Sequence, residues 1–455
     1  MSSQRFTRLP PTLRPIVRRK PSPSHGCVSG ALSVYASRRC ISSNAAQSDA
    51  GPGQTRISTV FTILLGVGIA TTGCGIYQFY QTFTLWPPAV RGDLRAGIKA
   101  KNQGDLVLSE RYLRRALETA QSLPLSDFSP EPYLKLSGIA VALAEVLEAN
   151  GKPEEAYKTY ADALDRLKKA ISYSEQLKLQ ELASSAPTSK DTPTHETELV
   201  LTGPERLRAV AIACKLGEMA DTYQQPETEE EQWLTWAVEE LLRTLIDMRQ
   251  HHKIADATKR EEKQKDVQIV LADLSLPKWV TKTDVGAPIE ALGRFYAKTG
   301  RVDYATTLYL QAISILMPPA GSGNTASAED SCRVAQLMSN LSELIMRGSP
   351  TPDKLHQAEA WAQQALAVVN KTTKTARGNP EQIAGCEETL GAVLFNLGSL
   401  REMNNDRAAA KDYFATSLEQ SKRMQSQEGI LEAKTALRRL ERIDRAEATK
   451  KTSHS

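Results

Sequence analysis

Hydrophobic and polar positions divide the chain into two regimes. From Ile57 to Val90 no side chain is charged. The apolar core of that run, Val60–Phe79, is long enough to cross a bilayer as a helix at about 1.5 Å of rise per residue. Tyr77, Tyr80 and Trp86 gather at its C-terminal end, where amphipathic rings favour the membrane–water interface, and Pro87-Pro88 stops the helix. The pattern therefore predicts a transmembrane helix over 57–86. Beyond it, apolar residues recur at helical spacing between short Gly, Asn and polar breaks, which predicts a succession of amphipathic helices up to about residue 445.

That second regime repeats. In 137–170 the residues Ala144, Gly151, Ala156, Tyr160 and Ala163 stand at fixed offsets. The same offsets hold Gly293, Gly300, Ala305, Tyr309 and Ala312; then Gly398, Asn405, Ala410, Phe414 and Ser417; and Gly97, Gly104, Ser109, Leu113 and Ala116. A further copy has Ser342 followed, after an insertion, by Ala358, Ala362 and Ala365, and 205–245 reads as a degenerate pair around Leu216-Gly217, Trp233, Trp236 and Leu241. The first small residue lets helix A of a pair approach helix B, and the Gly or Asn that follows allows the sharp turn between them. The small and aromatic positions of helix B share one face and are expected to fill the gap to the neighbouring pair. This spacing resembles the tetratricopeptide repeat, with Leu292-Gly293-x-x-Tyr296 and Leu397-Gly398 matching its helix A signature. The resemblance implies an all-α superhelix over 90–445, with about five to six helix pairs. The segment 427–445, with Ile430, Ala433, Leu437, Leu440 and Ile443 on one side, is expected to cap it. Residues 183–204, 224–231 and 318–330 read as loops, 250–266 as a solvated helix, and 446–455 as a disordered tail.

The register places a set of side chains on the surface lined by A helices, where such a solenoid binds its partners. They are Glu145, Glu148, Glu290, Arg294, Lys298, Asn340, Glu343, Arg347, Asn396, Ser399 and Glu402. Asn340 and Asn396 occupy equivalent places in successive repeats. An Asn amide donates to and accepts from a peptide backbone, so the two could hold an extended segment, or serve as local caps. Ala392 and Asn396 stand where a clamp for an acidic C-terminus would need cations.

Charge changes the picture at the N-terminus. Of 455 residues 41% are hydrophobic and 24% charged, proportions that exclude a multi-span membrane protein. Residues 1–41 hold eight basic side chains and no acid, which leaves 49 basic against 53 acidic groups in the remainder. The net charge of +4 therefore belongs to the leader, and the mildly acidic body gives no reason to expect nucleic acid. An Arg- and Ser-rich, acid-free start reads as a mitochondrial presequence, with cleavage expected between Ile41 and Ser42, after Arg38-Arg39-Cys40. Residues 42–56 would form a short matrix-side tether. A presequence followed by one span would leave residues 91–455 in the intermembrane space. Within the span, Gly66, Ala70 and Cys74 share one face, where small residues let a second helix approach or are simply tolerated in a lone anchor.

No catalytic constellation is present: no Gly-x-Ser-x-Gly, no phosphate-cradling Gly-Lys-Ser/Thr loop and no His-Glu-x-x-His. No enzyme activity, metal or cofactor is expected, and His251-His252 reads as a solvated pair. The six cysteines are scattered singly, so Cys214, Cys332 and Cys386 are expected as buried thiols and no disulfide framework is expected.

Presequence, single span near residue 70 and repeat array together resemble the fungal inner-membrane tetratricopeptide adaptor subunits of the i-AAA protease. The resemblance implies an inner-membrane, single-pass adaptor that binds unfolded or membrane polypeptides and delivers them to the protease beside a partner adaptor subunit. ATP and zinc would then belong to the protease, and inner-membrane lipid would surround the span. An assembly or maintenance factor for a respiratory-chain complex has the same layout and is the alternative.

Overall fold

The computed structural model describes residues 85–183, 201–257, 276–277, 279–317, 326–347, 351–375 and 380–453. The expected presequence, tether and span up to residue 84 lie outside the described residues, and with them Ile41, Ser42, Gly66, Ala70 and Cys74. Among the described residues no helix is long and apolar enough to cross a membrane.

What is described is helical throughout, with no strand among the described residues. Six pairs follow one another: α1 (Pro88–Gln103) with α2 (Leu106–Ser122), α3 (Pro132–Ala149) with α4 (Pro153–Ala183), and α5 (Gly203–Thr222) with α6 (Glu227–Ala257). Then come α7 (Lys282–Lys298) with α8 (Val302–Leu316), α9 (Ala328–Met346) with α10 (Pro352–Thr375), α11 (Pro380–Met403) with α12 (Arg407–Arg423), and the final α13 (Gln427–Ser453). The odd-numbered members α1 to α11 are the A helices and the even-numbered ones the B helices.

Every described A-to-B turn is tight, which forces the two helices of a pair antiparallel. Gly104, Gly151, Gly300 and Asn405, the turn positions marked by the repeat, all have positive φ, and Gln224 takes the same conformation in the degenerate third pair. The chain folds back at each in the same way: Asp105, Lys152, Arg301 and Asp406 donate their backbone N–H to the Ala100, Leu147, Tyr296 and Arg401 carbonyl groups at the end of the preceding A helix, all within 2.8–3.0 Å. These turns lie on one edge of the array, called distal below. The B helices end, and the A helices that follow them begin, on the opposite, proximal edge.

Within a pair the small A-helix residue meets the large B-helix residue of its own pair, not only the next. A Cβ on Gly398 would stand 2.8 Å from the Phe414 ring, and one on Gly293 3.0 Å from Tyr309. Ser109, an outlier in the repeat pattern, donates its hydroxyl to the Gly97 carbonyl at 2.8 Å, and Ser342 donates to Ala358 at 2.7 Å, so both buried hydroxyls are satisfied across the A–B seam. This close approach predicts that Gly398→Leu lowers stability by about 1–3 kcal/mol through overpacking. Gly391→Ala, whose Cβ would meet neighbours only at ordinary contact distance, should stay within about 0.5 kcal/mol or gain from helix propensity. Urea denaturation midpoints of the two variants decide it.

Between pairs, A helices pack beside the next A helix from α3 through α13, whereas each B helix packs against the following A helix and not comparably against the next B helix. The A helices therefore line the inner side of the stack. The tightest of these A–A approaches is between α9 and α11, which a disulfide joins: Cys332 and Cys386, with Cα atoms 4.6 Å apart. The expectation of two buried thiols is corrected here. The cysteines are 54 residues apart and share no spacing motif, but the stacking of pairs five and six brings them together. Cys214 remains a free thiol, and burial pushes its pKa up to about 12.

Three boundary expectations are also corrected. Acidic residues 227–231 are helix, because Glu227, Glu229 and Glu230 occupy the first turn of α6, where negative charge is favourable. Residues 328–330 open α9, with Ser327 capping the Asp330 N–H at 3.0 Å. The tail does not begin at 446: α13 continues to Ser453, its last turns held by ion pairs from Arg407 to Asp444 and Glu447. As expected, α13 buries Ala433 and Leu440 against the last pair.

Candidate functional site

The inner surface is built from the A helices, and of the eleven residues placed there by the repeat register ten are on them, with Arg347 the residue that closes α9. Most, however, face a neighbouring helix and are consumed by it. Lys101 of α1 pairs with Glu145 of α3 at 2.5 Å, and Glu148 of α3 with Lys215 of α5 at 3.2 Å. Lys298 of α7 reaches Asp221 of α5 at 2.7 Å and Glu230 of α6 at 2.5 Å. Glu290 of α7 is buried between Arg294 of its own helix, 3.0 Å, and Arg333 of α9, 2.7 Å. Arg347 of α9 donates back to the Ala297 carbonyl of α7 and pairs with Glu343 at 2.9 Å. Glu402 of α11 takes a forked guanidinium from Arg439 of α13, with contacts of 2.9 and 2.5 Å.

Together with the α9–α11 disulfide, these contacts run from the first A helix to the capping helix as a continuous row of cross-repeat staples. Each exposed pair is worth only about 0–1 kcal/mol. Their shared effect is to fix the spacing between successive A helices, so that the inner surface presents its remaining groups at set distances. The sequence register located these residues, but their partners Lys215, Arg333 and Arg439 come from the next repeat and carry no signal of their own.

The two asparagines do not act as a matched pair. Asn396 is committed: its amide donates to Ser339 of α9, 2.9 Å to the hydroxyl and 3.3 Å to the carbonyl. The physical reason is the disulfide-linked closeness of α9 and α11, which brings Ser339 within reach. Asn340 is half-buried, and no side-chain hydrogen bond to it is found among the described residues. Ser399 bonds only the Phe395 carbonyl of its own helix, at 3.1 Å.

Groups without a partner on a neighbouring helix therefore remain between α9, α11 and α13. Beside Asn340, Ser399 and Glu343 stands Glu432 of α13, which the repeat register does not mark because it belongs to the capping helix. Glu432 is half-buried without an ion-pair partner among the described residues. Burial raises its pKa, and the carboxylates of Glu428 and Glu343 raise it further. The inner surface nearer the N-terminus is acidic in a different way. The Tyr160 phenol is held well above its ordinary pKa by burial, reinforced by Glu145, Glu148 and Glu218. The chemistry such a surface supports is hydrogen bonding to an amide backbone and attraction of cationic side chains. No group of three or more His, Cys, Asp or Glu positioned for a metal is found among the described residues, and the His251 and His252 side chains lie outside them.

No protein-family model matches the chain, and no curated protein matches it. Solved structures do. BtubC (BKLC) from P. vanneervenii shares 14% identity, with 70% of this chain and 92% of that one covered at a TM-score of 0.42. The nearly identical TPR-like repeats of a putative kinesin light chain from Podosopora anserina share 14% identity, covering 65% and 98% at a TM-score of 0.31. The apo form of RapI shares 8%, covering 74% and 98% at 0.35. At such identities and superposition scores the assignment of the repeat rests on this chain's own spacing, turns and seam packing.

Proposed function

We propose that this chain is a non-enzymatic polypeptide-binding adaptor, anchored by residues 57–86 in the mitochondrial inner membrane with its helical array in the intermembrane space. There it delivers bound polypeptides to the i-AAA protease beside a partner adaptor subunit. The observation that carries the binding role is the division of the inner surface. Its A helices are stapled to one another along the stack, yet between α9, α11 and α13 Asn340, Ser399 and Glu432 have no partner on a neighbouring helix, and Glu343 pairs only with Arg347 beside it. An extended chain can bond to Asn340 and Ser399, and a Lys or Arg side chain would neutralise Glu432, which Glu343 and Glu428 hold in a negative field.

Two features support the compartment. The acid-free leader and charge-free run argue for import with arrest in the inner membrane. The Cys332–Cys386 disulfide suits an oxidising space.

The test is affinity purification of the full chain from mitochondria in mild detergent, as wild type and as Asn340→Ala with Glu432→Gln. The wild type is expected to bring down an ATP-dependent membrane metalloprotease together with substrate polypeptides. The variant should retain the protease and lose the substrates several-fold. Recovery of respiratory-complex subunits in place of the protease would assign the alternative role, an assembly or maintenance factor. Full substrate recovery by the variant would remove the α9–α11–α13 surface as the binding site.

A further inference from the structure

We infer that the cleft between α2, α3 and α4 seats an anionic phospholipid of the bilayer; the inference rests on the reading of 57–86 as a membrane span. The chain arrives at the proximal edge with no slack. Only Pro87 separates Trp86 from α1. Trp86 packs against the core, and the Arg91 guanidinium donates to its carbonyl at 2.6 and 3.2 Å. Trp86 is thereby fixed to the first pair, and on the reading of 57–86 as a span the proximal edge of that pair faces the bilayer.

Helix direction then decides what lies there. α1 runs away from the junction and α2 returns to it, so the C-terminal end of α2, the start of α3 and the C-terminal part of α4 share the proximal edge. α4 has 31 residues, about 46 Å, against about 27 Å for the 18 of α3, and overhangs on this side. The 2.7 Å Arg114–Glu155 ion pair sets α2 against α4. Counting on from it, α2 ends opposite residue 163, so Arg166, Lys169 and Tyr173 lie beyond its end, towards the bilayer.

A cleft of about 830 Å³ opens in this corner. Its distal part carries the exposed acids Glu118, Glu155 and Asp162. Its proximal part is lined by Leu123, Leu125 and Leu136, with Tyr173 47% exposed at the rim. Arg166 there is exposed with no ion-pair partner among the described residues, and Lys169 pairs only with Asp165 of its own helix in a solvent-exposed contact. Arg114 and Lys158 also line the cleft, but they stand in its distal part among those acids. Apolar walls with, at the proximal mouth, two cations that no lining carboxylate offsets match a lipid whose chain lies against the leucines and whose phosphate meets Arg166 and Lys169.

The test uses the full chain reconstituted into phosphatidylcholine vesicles containing a minor fraction of phosphatidylglycerol with a diazirine in one acyl chain. After irradiation, adducts are expected on peptides from 57–86 and on cleft peptides from 117–136 and 166–173. Arg166→Glu with Lys169→Glu, both on the surface, should lower cleft labelling several-fold and leave 57–86 labelled as before, while Arg166→Lys keeps the cleft labelled. Labelled 57–86 with a bare cleft, or a cleft indifferent to the charge reversal, overturns the inference and leaves the span standing. Absence of label from both regions removes the span and the inference with it. Loss of cleft label on adding a reduced, unfolded polypeptide would give the cleft to a polypeptide and overturn the lipid assignment.

Discussion

Arg206→Met should cost the third helix pair about 3–5 kcal/mol, because it strands a buried carboxylate. Arg206 of α5 is 4% exposed and donates to Glu240 of α6, itself 2% exposed, at 3.1 Å. Glu175 of α4 and Asp247 of α6 stand 3.7 and 3.8 Å from the same guanidinium. Burial holds the Glu240 carboxyl above its ordinary pKa, with Arg206 pulling it back. Without Arg206 the folded-state pKa of Glu240 must rise further. A carboxyl whose folded pKa exceeds its unfolded one binds its proton more readily in the folded state. Stability therefore increases as pH falls from the folded pKa towards the unfolded one. The deficit of Arg206→Met is accordingly expected to be largest at neutral pH and to shrink in mild acid. Arg206→Met with Glu240→Leu should recover most of the loss, since two apolar side chains of similar volume leave no buried charge behind, Glu175 and Asp247 being open to solvent. An array loses stability locally, so hydrogen exchange over 203–257 should report the change more sharply than whole-chain denaturation. A deficit below about 1 kcal/mol for the single variant, unchanged with pH, would contradict the burial of this pair.

How far the sequence could be read depends on the range of the interaction. Positions that act within one helix pair were legible. Gly104, Gly151, Gly300 and Asn405 all take the positive φ that their place after helix A requires, and the Gly398–Phe414 and Gly293–Tyr309 seams follow the repeat offset. The third pair departs where its turn does. Gly217 meets Leu234 instead of Trp233, one residue out of step, because the Tyr223–Pro226 turn displaces α6 in register. Trp233 is released to bond the Tyr157 hydroxyl at 2.8 Å and to receive the Lys168 ammonium, 4.7 Å from its ring, beside Trp236. Nothing in the spacing announced that cluster, since it joins different pairs. The same holds for the inner surface. A periodic pattern says that Glu290, Asn396 and Glu402 look outward from their own pair. It does not say that Arg333, Ser339 and Arg439 of adjacent helices will meet them, and so it overstates what is free to bind.

The disulfide is the strongest such cross-pair link, and its removal is expected to cost about 4 kcal/mol, since it closes a 54-residue loop in the unfolded chain. Both cysteines are buried, Cys332 at 4% and Cys386 at 0% exposure, so Cys332→Ala with Cys386→Ala removes the cross-link without exposing a new polar group. The denaturation midpoint of the wild type should fall in reductant to near that of the double variant, which should itself be insensitive to reductant. A maleimide added to denatured, unreduced protein should leave both cysteines unmodified, and labelling of either without reductant would show that the bond is absent. The loss should extend beyond stability. Asn340 and Glu343 lie on α9 and Ser399 on α11, the two helices this bond holds together, and Asn396 reaches Ser339 across the same gap. Loosening the gap changes the separation of the open groups before it unfolds either pair. Polypeptide binding by the double variant is therefore expected to weaken at temperatures where its helix content is still that of the wild type, whereas Gly398→Leu at equal loss of stability should disturb the α11–α12 seam and leave the α9–α11 spacing, and with it binding, largely intact.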